Sequence, residues 1–167
     1  MRPIVAAVTA LAVLTSSAGA QRAPAAGPTA AYVCGLLTKT QVEKEIGRDL
    51  YGEGNGMLLG GGAVCDWDGG EAQVMLFTGP KAEANWEGVL KRFRHENTKR
   101  TPVPGLGAPA YVIYPPPKSE YQETVAMVVV KTGQGTLVVS SAAKNGPAEK
   151  ALGPTVALTK LVLAKLK

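Results

Sequence analysis

The chain has 167 residues, of which 46% are hydrophobic, 19% charged and 5% aromatic, with a formal net charge of +5. This length has room for one ordinary domain but not for two, and the apolar fraction excludes a globally disordered protein. No apolar run reaches the ~20 residues that a membrane-spanning helix needs.

The N-terminus has the three parts of a secretory signal peptide. Arg2 supplies the positive charge, residues 4–14 form an 11-residue apolar stretch, and Ala18-Gly19-Ala20 is a cleavage pattern of small residues. We therefore expect residues 1–20 to be a signal peptide that is removed. The mature protein is then expected to be secreted or periplasmic, with no transmembrane anchor.

Two cysteines, Cys34 and Cys65, follow the signal. Residues 21–31 are mostly Ala, Pro and Gly and are expected to form a flexible leader, so that both cysteines fall in a single α+β domain over 32–167. In an oxidising compartment a lone pair of this spacing is most simply a disulfide. A redox or metal site would need C-x-x-C spacing or histidine partners, and neither is present.

A short helix is predicted at the start of this domain. Thr38 and Gln41 form a T-x-x-Q capping box, in which each side chain satisfies a backbone N–H at the helix start, and Gly47 suits the left-handed C-terminal cap. The next stretch, 52–62, contains six glycines and is expected to be a loop.

A β-hairpin and a longer helix follow. Asp68-Gly69 lies between two alternating runs and predicts strands at about 63–67 and 71–78. Residues 80–96 are expected to be an amphipathic helix because apolar residues recur there at helical spacing, namely Ala82, Trp86, Leu90 and Phe93.

The second half of the chain contains three strand-like runs and a helical tail. After a Pro-rich loop at 102–109, the runs lie at 110–114, 124–131 and 136–141. The tail begins after Asn145-Gly146-Pro147 and is broken or restarted at Pro154. Its expected buried stripe is Val156, Thr159, Leu163 and Leu166. Together these elements predict an α+β fold in the order α-β-β-α-β-β-β-α, an antiparallel sheet of about five strands with helices packed on a face.

Four short motifs resemble a known set. They are Cys34-Gly35-Leu36-Leu37-Thr38, Ile46-Gly47, Cys65-Asp66-Trp67 and the Pro-Gly-Leu-Gly stretch at 104–107, and a C-terminal helix rich in Ala, Leu and Val follows them. The set is similar to small cell-envelope proteins of actinobacteria, many of them lipoproteins of unknown function, which carry C-x-L-L-T, a later C-x-W and a G-L-G-x-x-A segment. The resemblance implies an exported α+β domain with one disulfide and supplies no catalytic residues. The lipidation cysteine of the lipoprotein members is missing here.

The candidate binding residues are basic or aromatic. The stretch 91–100 carries five basic side chains and one acidic side chain, which favours an anionic partner such as an envelope polymer or an acidic protein. Nucleic acid is not expected because no array of stacking aromatics accompanies the stretch. The candidates are Lys91, Arg92, Arg94, Lys99 and Arg100, together with Tyr114 and Tyr121 from an aromatic–proline loop.

Signals for catalysis are sparse. His95 is the only histidine and has no identifiable nucleophile or carboxylate partner, and Asp66, Asp68 and Glu71 are the only clustered carboxylates. We therefore favour an exported, non-catalytic module that binds a protein or an envelope polymer, with no cofactor and no metal. Two alternatives stay open: a small hydrolase that uses these carboxylates, and a protease inhibitor that offers an edge strand to its target.

Overall fold

Seven strands form one antiparallel sheet in the described part of the chain. The computed structural model describes residues 27–79, 86–88, 90–91, 100–115, 124–143 and 146–166. The strands are β1 (Asn55–Leu59), β2 (Gly62–Trp67), β3 (Ala72–Thr78), β4 (Thr101–Pro102), β5 (Ala110–Ile113), β6 (Thr124–Thr132) and β7 (Gly135–Ala143). Their order across the sheet is β1-β2-β3-β7-β6-β5-β4, and every neighbouring pair is antiparallel.

Three α-helices have both ends within the described residues: α1 (Ala30–Cys34), α2 (Lys39–Ile46) and α3 (Leu152–Lys165), the last preceded by a 3₁₀ turn at Ala148–Ala151. The capping box predicted for α2 is confirmed, since Thr38 and Gln41 each accept the other's backbone N–H. Gly47 ends α2 at φ 70°, as its position predicted. Among the described residues, none of the helices has the length and apolar character to cross a membrane.

The main core lies between one face of the sheet and the three helices. In β6, Ala126, Val128 and Val130 point to this face, and Met127 and Val129 point to the other. The helices and the α1–α2 connection contribute buried Val33, Leu36, Leu37, Val42, Leu158 and Val162. Alternation along β6 therefore divides its side chains between two apolar layers.

The opposite face of the sheet is also covered. Trp86 and Leu90 are buried there against Ile113, Met127, Val129 and Val138. Residues 86–88, 90 and 91 are helical, in agreement with the predicted helix, and the rest of 80–96 lies outside the described residues. The sequence predicts helices on a face of the sheet, and in the structure helical residues cover both faces.

The expected count of about five strands is wrong, and so is the expected element order. Two strands come from segments that composition marked as loops: β1 lies inside the glycine-rich stretch 52–62, and β4 overlaps the Pro-rich stretch. Gly56 in β1 shows the reason. A Cβ atom there would lie 3.0 Å from the Ala30 Cβ and 3.2 Å from the Cys34 Sγ, so this glycine permits close packing of α1 within a strand.

The buried stripe predicted for the C-terminal helix is confirmed at Thr159 and Leu166 and is wrong at Val156 and Leu163, which are only half-buried. Pro154 lies in the first turn, where its missing N–H leaves no helical hydrogen bond unmade. The buried residues of α3 are Thr155, Leu158, Thr159 and Val162. Two threonines can be buried because each hydroxyl donates 2.7 Å to a carbonyl one turn earlier, Thr155 to Ala151 and Thr159 to Thr155. Apolar spacing alone gave no sign of these bonds.

The predicted disulfide is present and joins α1 to β2. Cys34 and Cys65 are bonded with their Cα atoms 5.0 Å apart, across a sequence separation of 31 residues. Because α1 and β1 both pack beside this bond, it connects the start of the fold to the outer strands of the sheet.

Replacing both cysteines, Cys34→Ala with Cys65→Ala, is expected to lower the free energy of unfolding by about 3–4 kcal/mol, because a loop of this length is no longer closed in the unfolded chain. Urea unfolding followed by circular dichroism measures the change. Reduced wild-type protein serves as the control and should unfold near the midpoint of the double variant. Equal midpoints for oxidised wild type and the variant would contradict the stabilising role.

Candidate functional site

The basic stretch is described only at its two ends. Lys91 is exposed, and Arg100, also exposed, donates from its guanidinium to the carbonyl of Leu90 at 2.9 Å. The remaining candidates lie outside the described residues: Arg92, Arg94, Lys99 and Tyr121, together with His95. Binding of an anionic partner by this stretch therefore stays a prediction.

Tyr114 is a half-buried residue that packs against the main core. Burial raises the pKa of its phenol above the ordinary value, and the negative charge of Glu149 raises it further. Both effects favour the neutral phenol, and part of the side chain's surface is used for packing.

Asp66 and Asp68 each bind neighbouring main chain. The Asp66 carboxylate accepts the N–H of Gly70 at 2.8 Å and the side-chain amide of Gln73 at 3.0 Å. The Asp68 carboxylate accepts the N–H of Tyr51 at 2.6 Å and the N–H of Gly52 at 3.2 Å. Asp66 therefore closes the β2–β3 turn, and Asp68 holds the segment that leads into β1.

Glu71 has a third and separate role. Its carboxylate forms an ion pair with Arg48, which follows α2, and both side chains are mostly buried.

Neither of two surface cavities, one beside Trp86 at the β6–β7 turn and one at the end of α2, is lined by Asp66, Asp68 or Glu71. In the described part of the chain no group of three or more His, Cys, Asp or Glu is placed to hold a metal ion.

The surface that sequence reasoning missed is the outer edge of β1. β1 is the terminal strand of the sheet, and all five of its residues are exposed. Leu58 is 72% exposed. Three of the five large apolar side chains that are exposed in the described part of the chain lie in β1, namely Met57, Leu58 and Leu59; the others are Tyr32 in α1 and Tyr51 in the connection before β1. Clustering of this kind is typical of contact surfaces, whereas single exposed apolar residues are ordinary.

The register shows which main-chain groups of β1 face outward. The N–H of Thr78 bonds to the carbonyl of Gly61 across the β2–β3 pair, and successive residues of an antiparallel strand point to alternate sides. Gly61 and every second residue after it therefore bond to β3, and the residues between them bond to β1. These β2 residues are in register with Asn55, Met57 and Leu59. The N–H and C=O groups of Gly56 and Leu58 therefore point away from the sheet.

The segment that leads into β1 is held by hydrogen bonds and by close packing. Besides the bonds from Asp68, a close packing contact fixes Gly54, where a Cβ atom would lie 2.4 Å from the Cys65 Sγ and 2.8 Å from the Trp67 indole. On the same face of the sheet, Gly56 packs directly under α1, beside the other sulfur of the disulfide. The edge is thus presented on a preformed scaffold that includes the disulfide.

The two edges of the sheet are built differently. At the far edge, β4 has two residues and ends in Pro102, with Pro104 close behind, and short length and proline both discourage strand pairing. β1 has five residues and contains neither a proline nor a charged side chain. It lacks the features by which edge strands usually avoid association.

A weak sequence signal for this strand existed. The apolar run Met57-Leu58-Leu59 is followed by Gly60-Gly61 and then by the strand predicted at 63–67, which is the pattern of a hairpin with a two-residue turn. The high glycine content of the stretch instead favoured a loop.

Comparison with known protein families and with curated proteins found no match to this chain.

Asp68→Asn is expected to loosen the segment before β1, because the amide retains one acceptor oxygen where the carboxylate has two. Asn also tolerates the φ of 48° at this position, so the substitution tests the carboxylate and not the backbone. The expected loss of stability is about 1 kcal/mol, with faster hydrogen exchange at the amides of Tyr51 and Gly52. Asp49→Asn, at an exposed position in the same connection, is the control, and equal exchange in both variants would contradict the assignment.

Tyr114→Phe is expected to change how stability depends on alkaline pH. A phenol pKa raised in the folded state favours folding fully below the ordinary pKa of about 10, and this contribution is lost as the pH rises through the folded value. The free energy of unfolding should therefore fall more steeply above pH 10 in wild type than in Tyr114→Phe. Glu149→Gln should reduce the difference without removing it, and identical pH profiles for all three proteins would refute the effect.

Proposed function

We propose that this chain is an exported, non-catalytic binding module that recognises another polypeptide through the outer edge of β1. In this mode an extended segment of the partner adds to the sheet as a further strand, bound by main-chain hydrogen bonds and by apolar side chains. The signal-like N-terminus and the disulfide support export.

The observation that carries the proposal is the combination of exposed apolar side chains and outward main-chain groups on one uncharged strand. Met57, Leu58 and Leu59 provide the apolar surface, and Gly56 and Leu58 provide the donors and acceptors. Water satisfies these groups in the isolated chain, so each hydrogen bond to a partner contributes only about 0.5–1.5 kcal/mol net. Burial of the leucines and the methionine adds to this.

The rigid mounting of β1 favours binding. Asp68, Gly54 and α1 hold the strand in its extended form before any partner arrives. Less conformational entropy is then lost on association, which is the usual advantage of a preorganised site.

The inhibitor interpretation is a special case of this contact, in which the partner is a protease that binds extended chains in its cleft. The hydrolase interpretation gains no support from the geometry. Asp66, Asp68 and Glu71 each hold a different part of the fold, through two backbone segments and an ion pair with Arg48.

Leu58→Pro and Leu58→Ala separate main-chain recognition from side-chain recognition. The Leu58 N–H points away from β2, so proline there removes an outward donor without breaking the β1–β2 pair. Peptides of about a dozen residues, selected from a random display library on wild-type protein, are expected to bind Leu58→Pro at least about tenfold more weakly. Leu58→Ala keeps the donor and should lose less affinity.

Hydrogen exchange locates the contact in the same complexes. Peptide binding should slow exchange at the amides of Gly56 and Leu58, whereas those of Met57 and Leu59 are already paired with β2. Unchanged exchange in β3 of Leu58→Pro serves as the folding control. Selected peptides that bind wild type and Leu58→Pro equally would overturn the proposal.

A further inference from the structure

The outward groups of β1 form a self-complementary pattern. Gly56 and Leu58 each offer one N–H and one C=O, and Met57 lies between them with its own main-chain groups directed to β2. Two copies of β1 can pair antiparallel about a two-fold axis that passes between their Met57 residues. In this register Gly56 of each copy lies opposite Leu58 of the other copy. Residues facing each other in this way exchange both of their hydrogen bonds, so every outward donor and acceptor is satisfied.

From this pattern we infer that the strand that pairs with β1 is β1 of a second copy of this chain, in a two-fold symmetric dimer with a continuous sheet. The inference rests on the proposed function of the β1 edge and names its partner. An isologous contact of this kind is the commonest form of self-association in soluble proteins.

The side chains fit the same register. Leu58, 72% exposed in the single chain, comes to lie opposite Gly56, which has no side chain to oppose it. On the other face of the sheet the two Met57 side chains meet across the axis at a closely spaced, non-hydrogen-bonded position. Methionine adapts well to such a contact because it is unbranched and flexible.

Charge also permits this pairing. Within residues 53–61 the only charged side chain is Glu53, and the antiparallel register places it opposite Gly61 of the second copy. The chain's net charge of +5 is therefore not concentrated where the two copies meet. A parallel arrangement would instead bring the two Glu53 side chains to the same end of the contact.

The size of the contact predicts its strength. Five residues on each copy bury less than the roughly 1,200 Å² that is typical of stable specific interfaces. The dimer is therefore a concentration-dependent one, and a polypeptide with a better-fitting strand can replace the second copy.

Sedimentation velocity of the oxidised protein from about 1 µM to about 500 µM measures the association. The mean mass is expected to rise from that of a monomer toward that of a dimer. Leu58→Pro should weaken the association at least about tenfold, and Leu58→Ala should weaken it less.

Single cysteines test the register, with mass spectrometry confirming that Cys34 and Cys65 remain paired. Met57→Cys lies on the axis and should crosslink to itself under mild oxidation by glutathione disulfide, because facing residues of this type are within disulfide distance. Asn55→Cys should not crosslink to itself but should crosslink to Leu59→Cys when the two proteins are mixed. Self-crosslinking of Asn55→Cys would indicate a parallel pair and overturn the inference.

The remaining outcomes separate this inference from the proposed function. A chain that stays monomeric yet binds displayed peptides in a manner sensitive to Leu58→Pro retains the proposed function and loses the dimer. A dimer that survives Leu58→Pro, with no crosslinking of Met57→Cys, uses another surface and also overturns the inference. Absence of both self-association and peptide binding overturns both.

Discussion

The covalent bond between Cys34 and Cys65 organises the part of the molecule that carries its most distinctive surface. It fixes α1 directly over the outer strands, and two glycines make room for it, Gly54 against Cys65 and Gly56 against Cys34. At Gly54 a Cβ atom would collide with the Cys65 sulfur and the Trp67 indole, and at Gly56 it would crowd Ala30 and the Cys34 sulfur. The glycine-rich stretch is therefore shaped by close packing around the disulfide.

Charged side chains in this region stabilise connections between elements. Asp68 binds the main chain before β1, Asp66 closes a turn, and the Glu71–Arg48 pair joins that turn to the end of α2. A carboxylate with such partners is engaged in holding the backbone and is poorly placed to act as a general acid or base. The three carboxylates that cluster in sequence, and that left a hydrolase open as an alternative, thus have three separate structural roles.

The contrast between the two sheet edges connects architecture with the proposed function. A two-residue strand with proline ends the sheet at β4, whereas β1 ends it with exposed leucines and outward hydrogen-bonding groups. Unprotected edges promote indiscriminate association, and soluble proteins commonly blunt them. The open edge beside the disulfide-linked helix is the feature on which the proposed pairing function rests.

Local sequence determined the elements whose signals are complete within a few residues. Three features were predicted correctly: the capping box at Thr38 and Gln41, the Asp68-Gly69 hairpin and the disulfide between the two cysteines. The first two depend on neighbouring residue types, and the disulfide is the only pairing that two cysteines allow.

The tertiary structure decided the rest. Whether a glycine belongs to a loop or to a strand pressed against a helix depends on what packs beside it, as at Gly56. Whether a threonine is buried depends on a carbonyl within reach, as at Thr155. Which strand lies at the edge depends on the pairing of β3 with β7 across 56 intervening residues (135 minus 78, less one), a long-range choice that no local pattern records.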